Sequence, residues 1–269
     1  MDKKVVLITG ATSGLGKACA DYLAERGLTV YGTGRREMTS HNAITMLKMD
    51  VTQPDTVKAA IEQIIKEQGH IDVVVNSAGM GIGGAAELAT PDEIRVQMQT
   101  NFDGTVNVCS AVLPYMRQRK QGVIINISSI GGLMGLPFQA FYSASKFAVE
   151  GYSEALSLEV EPFNIKICLI EPGDFATGFT ASRQLSMATQ RHEDYSAQFA
   201  KTLTNIEKEE LGGLKPERLA KVIFRIVNSR HPRFRYKVGN MLQVGFAKSK
   251  AWIPSRMYQW LLRIFYGMA

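Results

Sequence analysis

Residues 5–34 of this 269-residue chain read VVLITGATSGLGKACADYLAERGLTVYGTG. An apolar run leads into a glycine-rich turn, then into a segment with helical spacing of apolar residues that stops at Gly27, and then into a second apolar run. This order predicts a strand, a turn, a helix and a parallel strand. It indicates the first βαβ unit of an α/β fold, a Rossmann-type doubly wound parallel sheet.

The turn of this unit carries a GxxxGxG pattern. Glycines here permit a tight turn and let the backbone approach a pyrophosphate at the positive end of the following helix. A plain glycine-rich turn would show the same pattern, but its position between a strand and a helix favours a dinucleotide site. The predicted cofactor contacts of this turn are Gly10, Thr12, Ser13, Gly14, Leu15 and Gly16.

The end of the second strand predicts which dinucleotide binds. Units that bind NAD carry an acidic residue here, whereas units that bind NADP carry an arginine. The run Leu28–Thr33 is followed by Gly34, Arg35 and Arg36, with no acid. We expect Arg35, helped by Arg36 and Ser13, to bind the 2′-phosphate of NADP(H), since a guanidinium offers a planar fork of donors. Two arginines that only solubilise the strand end are the alternative.

Three further apolar runs, at residues 44–49, 71–75 and 164–170, also end in small or polar residues. The carboxyl ends of parallel strands form the ligand site of such folds. Asp50 could accept from the adenine amino group or cap the next element, and a plain turn could explain the glycines after residue 75. The predicted contacts here are Asp50, Val51, Asn76, Ala78, Gly79, Pro172, Gly173 and Thr177.

The string SIGGLMGLPFQAFYSASK, residues 129–146, follows the apolar run at 122–129. That run predicts a buried parallel strand with Ser129 at its carboxyl end. Tyr142 and Lys146 stand four residues apart, so in a helix from Ala140 onward both project from one face. A nearby ammonium favours the phenolate over a phenol whose ordinary pKa is near ~10, which makes Tyr142 usable as an acid or base. YxxxK on a helix also occurs by chance.

A long helix is predicted before this strand. Thr90 is its cap, Pro91 its first residue, and acidic residues occupy its first turn, with an end near Lys120. Asn101 lies inside it in the string NFDG, where glycine is a poor helix former. This local inconsistency indicates a function or a kink at Asn101.

The last third of the chain has weaker patterns. Residues 178–215 lose clear periodicity, and we interpret them as a lid over the substrate. From Pro254 a broad apolar helical stripe predicts a helix that packs on its own protein or on a second subunit, with attachment to a membrane surface as the alternative. We therefore divide the chain into a domain of residues 1–240, which includes the lid, and an amphipathic helical extension of residues 241–269.

Composition indicates one large α/β domain. The chain is 45% hydrophobic and 21% charged, with no apolar run long enough to span a membrane and no signal-peptide pattern, so we expect a cytoplasmic protein. The net charge of +6 is not concentrated in one long basic block and no nucleic-acid motif accompanies it, so no nucleic-acid partner is expected. The three cysteines, Cys19, Cys109 and Cys168, are predicted to be buried thiols. The histidines, His41, His70, His192 and His231, lack ligand spacing, so no metal is predicted.

Taken together, these segments resemble the short-chain dehydrogenase/reductase family over about residues 3–240. The resemblance rests on TGATSGLG at 9, DV at 50, NSAG at 76, NxxG at 101, Ser129, YSASK at 142 and EPGDFAT at 171. NSAG and EPG depart from the commoner NNAG and NPG, but neither change removes a catalytic group. The string GLMGLPFQAFYSASKFAVEGYSEAL is most similar to the estradiol- and retinol-type hydroxysteroid and retinoid dehydrogenases.

The resemblance implies a role for each residue of the catalytic set. Tyr142 would be the general acid that protonates the substrate oxygen during reduction, and Ser129 would hydrogen-bond the same oxygen. Lys146 would lower the tyrosine pKa and hold the nicotinamide ribose. Asn101 would keep a water in place that relays protons past Lys146 to solvent.

The resemblance also implies an activity. We expect an NADP(H)-dependent oxidoreductase that transfers a hydride between the nicotinamide and an apolar carbonyl or secondary alcohol, such as a steroid, retinoid or lipid. A reductase of 3-oxoacyl or 3-ketosphinganine type and a non-catalytic NADP(H)-sensing protein are the alternatives. Relatives commonly associate through the helices around residues 91–161, so a dimer or tetramer is expected. The carboxyl-terminal helix would give any peripheral membrane contact.

Overall fold

The computed structural model describes residues 3–40 and 42–268, so His41 lies outside the described residues. Seven parallel strands form its central sheet in the order β3-β2-β1-β4-β6-β7-β9. They are β1 (Val5–Ile8), β2 (Thr29–Gly34), β3 (Ile44–Lys48), β4 (Val73–Asn76), β6 (Gly122–Ile127), β7 (Ile165–Pro172) and β9 (Arg235–Val238). A small separate pair consists of β5 (Ile82–Gly83) and β8 (Gln184–Leu185). The strand order reverses between the neighbours β1 and β4, which is where such sheets bind ligands.

Helices cover both faces of the sheet, so the predicted doubly wound fold is confirmed. They are α1 (Gly14–Ala24), α2 (Pro54–Gln68), α3 (Pro91–Met98), α4 (Gly104–Arg119), α5 (Ala140–Val160), α6 (Phe179–Ser182), α7 (Met187–Arg191), α8 (Ser196–Leu211), α9 (Glu217–Asn228), α10 (Met241–Ser249) and α11 (Ser255–Phe265). Helices α1 and α9 pack on one face; α2, α4 and α5 pack on the other. Val6 and Ile8 point to the first layer and Val5 and Leu7 to the second, which explains why β1 is apolar throughout.

The helix predicted from residue 90 to residue 120 is interrupted at Asn101. Its start is a capping box, in which the Thr90 hydroxyl accepts from the Glu93 N–H at 3.1 Å and the Glu93 carboxylate accepts from the Thr90 N–H at 2.7 Å. A π-helical turn, Gln99–Asp103, then separates α3 from α4. Such turns inside helices are frequent at functional sites. The irregularity expected at Asn101 is confirmed.

The segment interpreted as a lid contains regular structure that its sequence pattern did not indicate. Residues 179–211 form α6, β8, α7 and the 16-residue helix α8. Helix α8 buries one narrow face, formed by Phe199, Thr202 and Ile206. Strand β8 pairs with β5 next to the β4 loop, which places this segment beside the carboxyl ends of the strands.

The carboxyl-terminal extension packs on the protein through one face. Tyr258 of α11 stacks on Phe246 of α10 with ring centroids 4.7 Å apart, and its hydroxyl lies 3.1 Å from the Met134 sulfur. Helix α11 agrees with the predicted helix, whereas α10 was not predicted. None of the described helices is long and apolar enough to cross a membrane. The division of the chain at residue 240 stays a prediction.

Candidate active site

The loop after β1 is packed so closely that side chains at two of its glycines would clash with neighbouring main-chain atoms. Gly10 adopts φ +66°, and a Cβ there would lie 2.9 Å from the Ala78 Cα. A Cβ on Gly16 would overlap the Gly10 carbonyl oxygen. The loop is therefore a main-chain cradle at the amino end of α1, of the kind that accepts a pyrophosphate. Across it, Thr177 is the nearest residue to Gly14, at 3.9 Å from the position of a Cβ there.

The loops after β1 and β4 are joined by a residue that sequence reasoning missed. The buried Thr9 hydroxyl accepts from the N–H groups of Ser77 and Ala78, both at 3.0 Å. A hydroxyl at the end of β1 was the only signal available for this role. By contrast, the Asn76 amide donates to Asn126 Oδ1 at 2.8 Å inside the sheet. Any cofactor contact of Asn76 would therefore come from its main chain.

The predicted 2′-phosphate site lies at the rim of this cradle. Arg35 and Arg36 are exposed directly after Gly34, and neither pairs with an acidic side chain in the described part of the chain. A Cβ on Gly34 would overlap the Thr12 side chain, so β2 ends against the cradle. Ser13 is exposed at the start of α1 and its side chain makes no capping bond. The arrangement leaves these donors available to a phosphate.

Asp50 and the residues after β7 close the other sides of the site. Asp50 Oδ1 accepts from the Thr52 N–H at 2.9 Å and from its hydroxyl at 2.8 Å. These bonds close a turn, whereas the N-cap of α2 is Gln53, so the alternative that Asp50 caps the next helix is wrong. Val51 is buried. Pro172 ends β7, and the Gly173 N–H donates to the Val238 carbonyl at 3.0 Å. The cofactor contacts of this rim stay predictions.

Ser129, Tyr142 and Lys146 meet at the carboxyl end of β6. The Ser129 hydroxyl accepts from the Gly131 N–H at 3.0 Å. A Cβ on Gly131 would lie 3.4 Å from Ser129 Oγ and 3.2 Å from Cε1 of the Tyr142 ring, so the two side chains are neighbours. The Lys146 ammonium donates to the Ile127 carbonyl at 2.9 Å and lies 5.9 Å from the centroid of the Tyr142 ring. Both side chains project from one face of α5, so the predicted geometry of the helix is confirmed.

Several groups in the site act on the pKa of Tyr142. Burial raises this pKa, and the charges of Glu210 and Asp174 add to the increase, while Ser129 and Arg183 oppose it. Burial lowers the pKa of Lys146 to about 8. That Lys146 lowers the tyrosine pKa stays a prediction. A phenol that keeps its proton is suited to donate it.

Asn101 ties the π-helical turn to the catalytic helix. Its Oδ1 accepts from the Met80 N–H at 2.9 Å, and its Nδ2 donates to the Met80 carbonyl and to the Ser145 hydroxyl, both at 3.0 Å. Ser145 in turn donates to the Tyr142 carbonyl at 2.7 Å. A Cβ on Gly79 would lie 3.3 Å from Asn101 Oδ1 and 3.8 Å from the Lys146 nitrogen. Ser145, missed as a site residue, therefore holds Asn101 against the helix of Tyr142.

This arrangement agrees with the family to which the sequence is similar. Residues 4–188 match the family described as short chain dehydrogenase. The chain belongs to the short-chain dehydrogenase family. A 3-ketodihydrosphingosine reductase of Bacteroides thetaiotaomicron is 57% identical over 268 residues, which cover 100% of both proteins. Human retinol dehydrogenase 8 is 38% identical over 201 residues, covering 69% of this chain and 64% of that protein.

Solved structures extend the comparison to the fold and the cofactor. A short-chain dehydrogenase from Streptomyces avermitilis has a TM-score of 0.80 at 29% identity, covering 93% of this chain and 92% of that chain. A 3-ketoacyl-(acyl-carrier-protein) reductase from Brucella melitensis, complexed with NADH, has a TM-score of 0.73 at 25% identity, covering 87% and 96%. ElxO with NADP bound has a TM-score of 0.71 at 28% identity, covering 88% and 96%.

This protein is therefore an oxidoreductase that acts on CH–OH groups with a nicotinamide cofactor. The main-chain cradle fits such a cofactor: Gly10 and Gly16 let the loop pack closely against Ala78 and against the start of α1, and a Cβ on Gly14 would project into open space with the Thr177 Cβ 3.9 Å away. The non-catalytic alternative is disfavoured, because the full set of Asn101, Ser129, Tyr142 and Lys146 is present. Among the described residues, no group of three or more potential ligands could hold a metal ion.

Proposed function

We propose that this protein is an NADPH-dependent reductase of 3-ketodihydrosphingosine, a long-chain ketone with an amino group on the next carbon. The observation that carries the proposal is the 57% identity to a 3-ketodihydrosphingosine reductase, because the similarity extends over the full length of both chains and so includes the lid. Substrate-binding loops vary more among relatives than the elements that they connect. Similarity across the lid therefore supports a shared substrate.

The catalytic set would act on the oxygen of the ketone. Tyr142 would donate its phenolic proton to this oxygen, and Ser129 would hydrogen-bond the oxygen and stabilise its developing charge. Lys146 would hold the nicotinamide ribose through its buried ammonium. Asn101, held by Ser145, would position a water that returns a proton toward Tyr142. The bound nicotinamide would supply the hydride.

The cradle would bind the cofactor through main-chain groups of Gly10, Gly14 and Gly16, with Arg35 and Arg36 on the 2′-phosphate. The exposed and unpaired guanidinium groups at the end of β2 support NADP(H) over NAD(H). We infer that reduction is the usual direction of the reaction, as it is for enzymes that draw on NADPH. The other predicted contacts of the rim belong to the same proposal.

Retinoid or steroid ketones are the second candidate substrates. The similarity to human retinol dehydrogenase 8 favours them, although it covers only 69% of this chain. Both candidates use the same catalytic set, so the two differ only in what the lid recognises.

A surface at the carboxyl terminus supports contact with an anionic membrane. Residues 241–269 contain four lysines and arginines and no aspartate or glutamate. Trp252 is 87% exposed and Trp260 is 58% exposed, and Lys248 and Lys250 line the same groove as Trp252. Aromatic side chains beside basic ones suit the headgroup layer of an anionic membrane. We propose a cytoplasmic protein that binds peripherally through this surface.

Vesicle sedimentation tests the membrane contact. Wild type should pellet with vesicles that contain anionic lipid, but not with neutral ones, and replacing Trp252 and Trp260 by alanine should abolish pelleting. Light scattering on the same samples identifies the rival, a surface that pairs with a second copy. Loss of a dimer in the double variant, without lipid binding by wild type, would refute the membrane contact.

We also propose a homo-oligomer formed through α3, α4 and α5. Leu158 is 74% exposed on α5, while Phe147 on α5 and Val96 on α3 are each 41% exposed. The Lys250 ammonium lies 5.0 Å from the centroid of the Phe147 ring, so the extension borders this surface. Light scattering should report a dimer or tetramer for wild type and a monomer for Leu158→Glu. A wild-type monomer would contradict the proposal.

The activity is tested by measuring oxidation of NADPH and of NADH with a panel of ketones. The panel contains 3-ketodihydrosphingosine, a steroid ketone, retinal and a 3-oxoacyl thioester, with Tyr142→Phe as the inactive control. We expect Tyr142-dependent turnover of 3-ketodihydrosphingosine with NADPH. Turnover of another class alone would reject the substrate, and tight cofactor binding without any turnover would favour the non-catalytic alternative.

A further inference from the structure

A buried ion pair in the lid lies beside the candidate active site and takes no part in the proposed chemistry. Arg183, between α6 and β8, donates through Nη2 to Glu210 Oε1 at the end of α8. Only 2% of the Arg183 side chain is exposed. Glu210 Oε2 also accepts from the Thr180 hydroxyl at 2.6 Å. The pair thus joins the two ends of the lid.

Arg183 has further hydrogen-bond donors besides the Nη2 group that binds Glu210. Its Nε and Nη1 atoms are buried and have no hydrogen-bond partner among the described residues. Leaving a buried donor unsatisfied destabilises a protein, and the cost is larger for charged groups. Such groups in native proteins call for an explanation. An acceptor supplied by a ligand would satisfy both atoms.

The ion pair is within reach of the reacting centre. The guanidinium carbon of Arg183 lies 5.8 Å from the centroid of the Phe179 ring, and the Phe179 ring lies 6.0 Å from that of Tyr142. Asp174, just after β7, adds a second carboxylate, and the charges of Asp174, Glu210 and Arg183 all act on the Tyr142 hydroxyl. Burial raises the pKa of Asp174 to about 6, and its carboxylate accepts from the Gln243 amide. At pH 7, above this pKa, the three groups together carry one net negative charge near the catalytic tyrosine.

We propose that Arg183, Glu210 and Asp174 recognise the polar head of an amino alcohol substrate, the carboxylates binding its ammonium and Arg183 its hydroxyl oxygen. This inference rests on the proposed function. In 3-ketodihydrosphingosine the amine is on the carbon next to the ketone, and the hydroxyl is one carbon further. With the ketone oxygen at Ser129 and Tyr142, both groups lie toward the lid.

The same three residues would reject ketones that lack this head. Retinal, a steroid ketone or an acyl thioester brings no cation, so the surplus carboxylate and the free donors of Arg183 would stay unpaired in a closed site. A site built for polar groups discriminates strongly against analogues that lack them, since its buried groups are then unsatisfied. These residues therefore determine specificity and perform no step of the reaction.

The test compares two substrates that differ only in the amine: a long-chain 2-amino-1-hydroxy-3-ketone and the matching 1-hydroxy-3-ketone. Glu210→Gln removes one charge at nearly constant shape. The ratio of kcat/KM for the amine to that for its analogue should fall about tenfold to a hundredfold, the value of a hydrogen bond to a charged group. Glu209→Gln, which removes an exposed carboxylate from the neighbouring position, should leave the ratio unchanged.

The outcomes separate this inference from the proposed function. Wild type that reduces neither compound refutes the proposed function. Wild type that reduces the amine, with the same ratio in Glu210→Gln, refutes the recognition of the amine and leaves the activity intact. If melting curves show that Glu210→Gln does not fold, Asp174→Asn gives the same comparison. Arg183→Lys should reduce the preference for a substrate with the hydroxyl over one without it. An unchanged preference would refute the proposal that Arg183 binds the substrate hydroxyl.

Discussion

The cofactor cradle and the lid are built in different ways. The cradle, residues 9–16 and 76–79, is shaped by main-chain geometry and by the Thr9 hydroxyl that links its two loops. The lid, residues 178–215, is fixed by a two-residue strand pair and by the ion pair between Arg183 and Glu210. A cradle made of main-chain groups binds the nicotinamide cofactor that members of the family share. A lid fixed by side chains can bind a different substrate when those side chains are substituted.

The largest effect is expected at Tyr142, where the two regions meet. Tyr142→Phe removes only the phenolic proton, so turnover should fall by a factor of about a hundred to ten thousand, the usual contribution of a general acid. The dissociation constant for NADPH should stay within about twofold, since the cradle is untouched. Steady-state kinetics and fluorescence titration measure the two quantities. Retained turnover would remove Tyr142 from the mechanism.

A substitution at the rim of the cradle should weaken the binding of one cofactor only. Arg35→Ala is expected to raise the dissociation constant for NADPH about tenfold to a hundredfold, because a hydrogen-bonded charge on the 2′-phosphate is lost. Binding of NADH, which lacks this phosphate, should not change. Arg218→Ala, an exposed arginine on α9, is the matched control. Equal losses for both cofactors would contradict the role of Arg35.

Adding a methyl group compares the two regions directly. Gly16→Ala places a Cβ against the Gly10 carbonyl, so we expect a loss of about 1–3 kcal/mol in the free energy of unfolding and weaker binding of both cofactors. Gly178→Ala, at the start of the lid, meets no atom within 4 Å and should be neutral. Urea denaturation measures both variants. Equal effects of the two substitutions would show that the cradle is no tighter than the lid.

The buried lysine gives an effect that depends on pH. Burial lowers the pKa of Lys146 from 10.5 to about 8, so between these values the lysine is protonated in the unfolded chain but not in the folded one, and its own contribution to wild-type stability rises with pH. The stability of Lys146→Met relative to wild type should therefore fall through this window, by at most about 1.4 kcal/mol per pH unit. Urea denaturation across the window tests this. A constant difference would mean that the lysine has an ordinary pKa.

The sequence predicted what depends on neighbouring residues. The glycine pattern, the capping box at Thr90 and the spacing of Tyr142 and Lys146 each operate within one element or one turn, so they could be interpreted directly. The irregularity at Asn101 was visible because asparagine and glycine fit a regular helix poorly. The helix accommodates these residues by forming a π-helical turn at this point.

The parts that could not be predicted depend on long-range contacts. Arg183 and Glu210 are 27 positions apart, and nothing near either residue in the sequence indicates the other. Helix α8 buries a narrow face in which Thr202 is polar, so apolar residues alone do not mark the helix. The rise of the Tyr142 pKa also depends on burial and on Glu210 and Asp174 from distant segments, which the spacing of Tyr142 and Lys146 does not indicate. Such contacts determine substrate specificity, which explains why the family was easier to predict from the sequence than the substrate.

The central claim is hydride transfer from NADPH to the ketone carbon of 3-ketodihydrosphingosine. The most direct measurement uses NADPH deuterated at the transferable position and mass spectrometry of the lipid product. Wild type should form an amino diol with a single deuterium on the former ketone carbon, and Tyr142→Phe should form none. A wild-type enzyme that binds NADPH but yields no deuterated amino diol would contradict the claim.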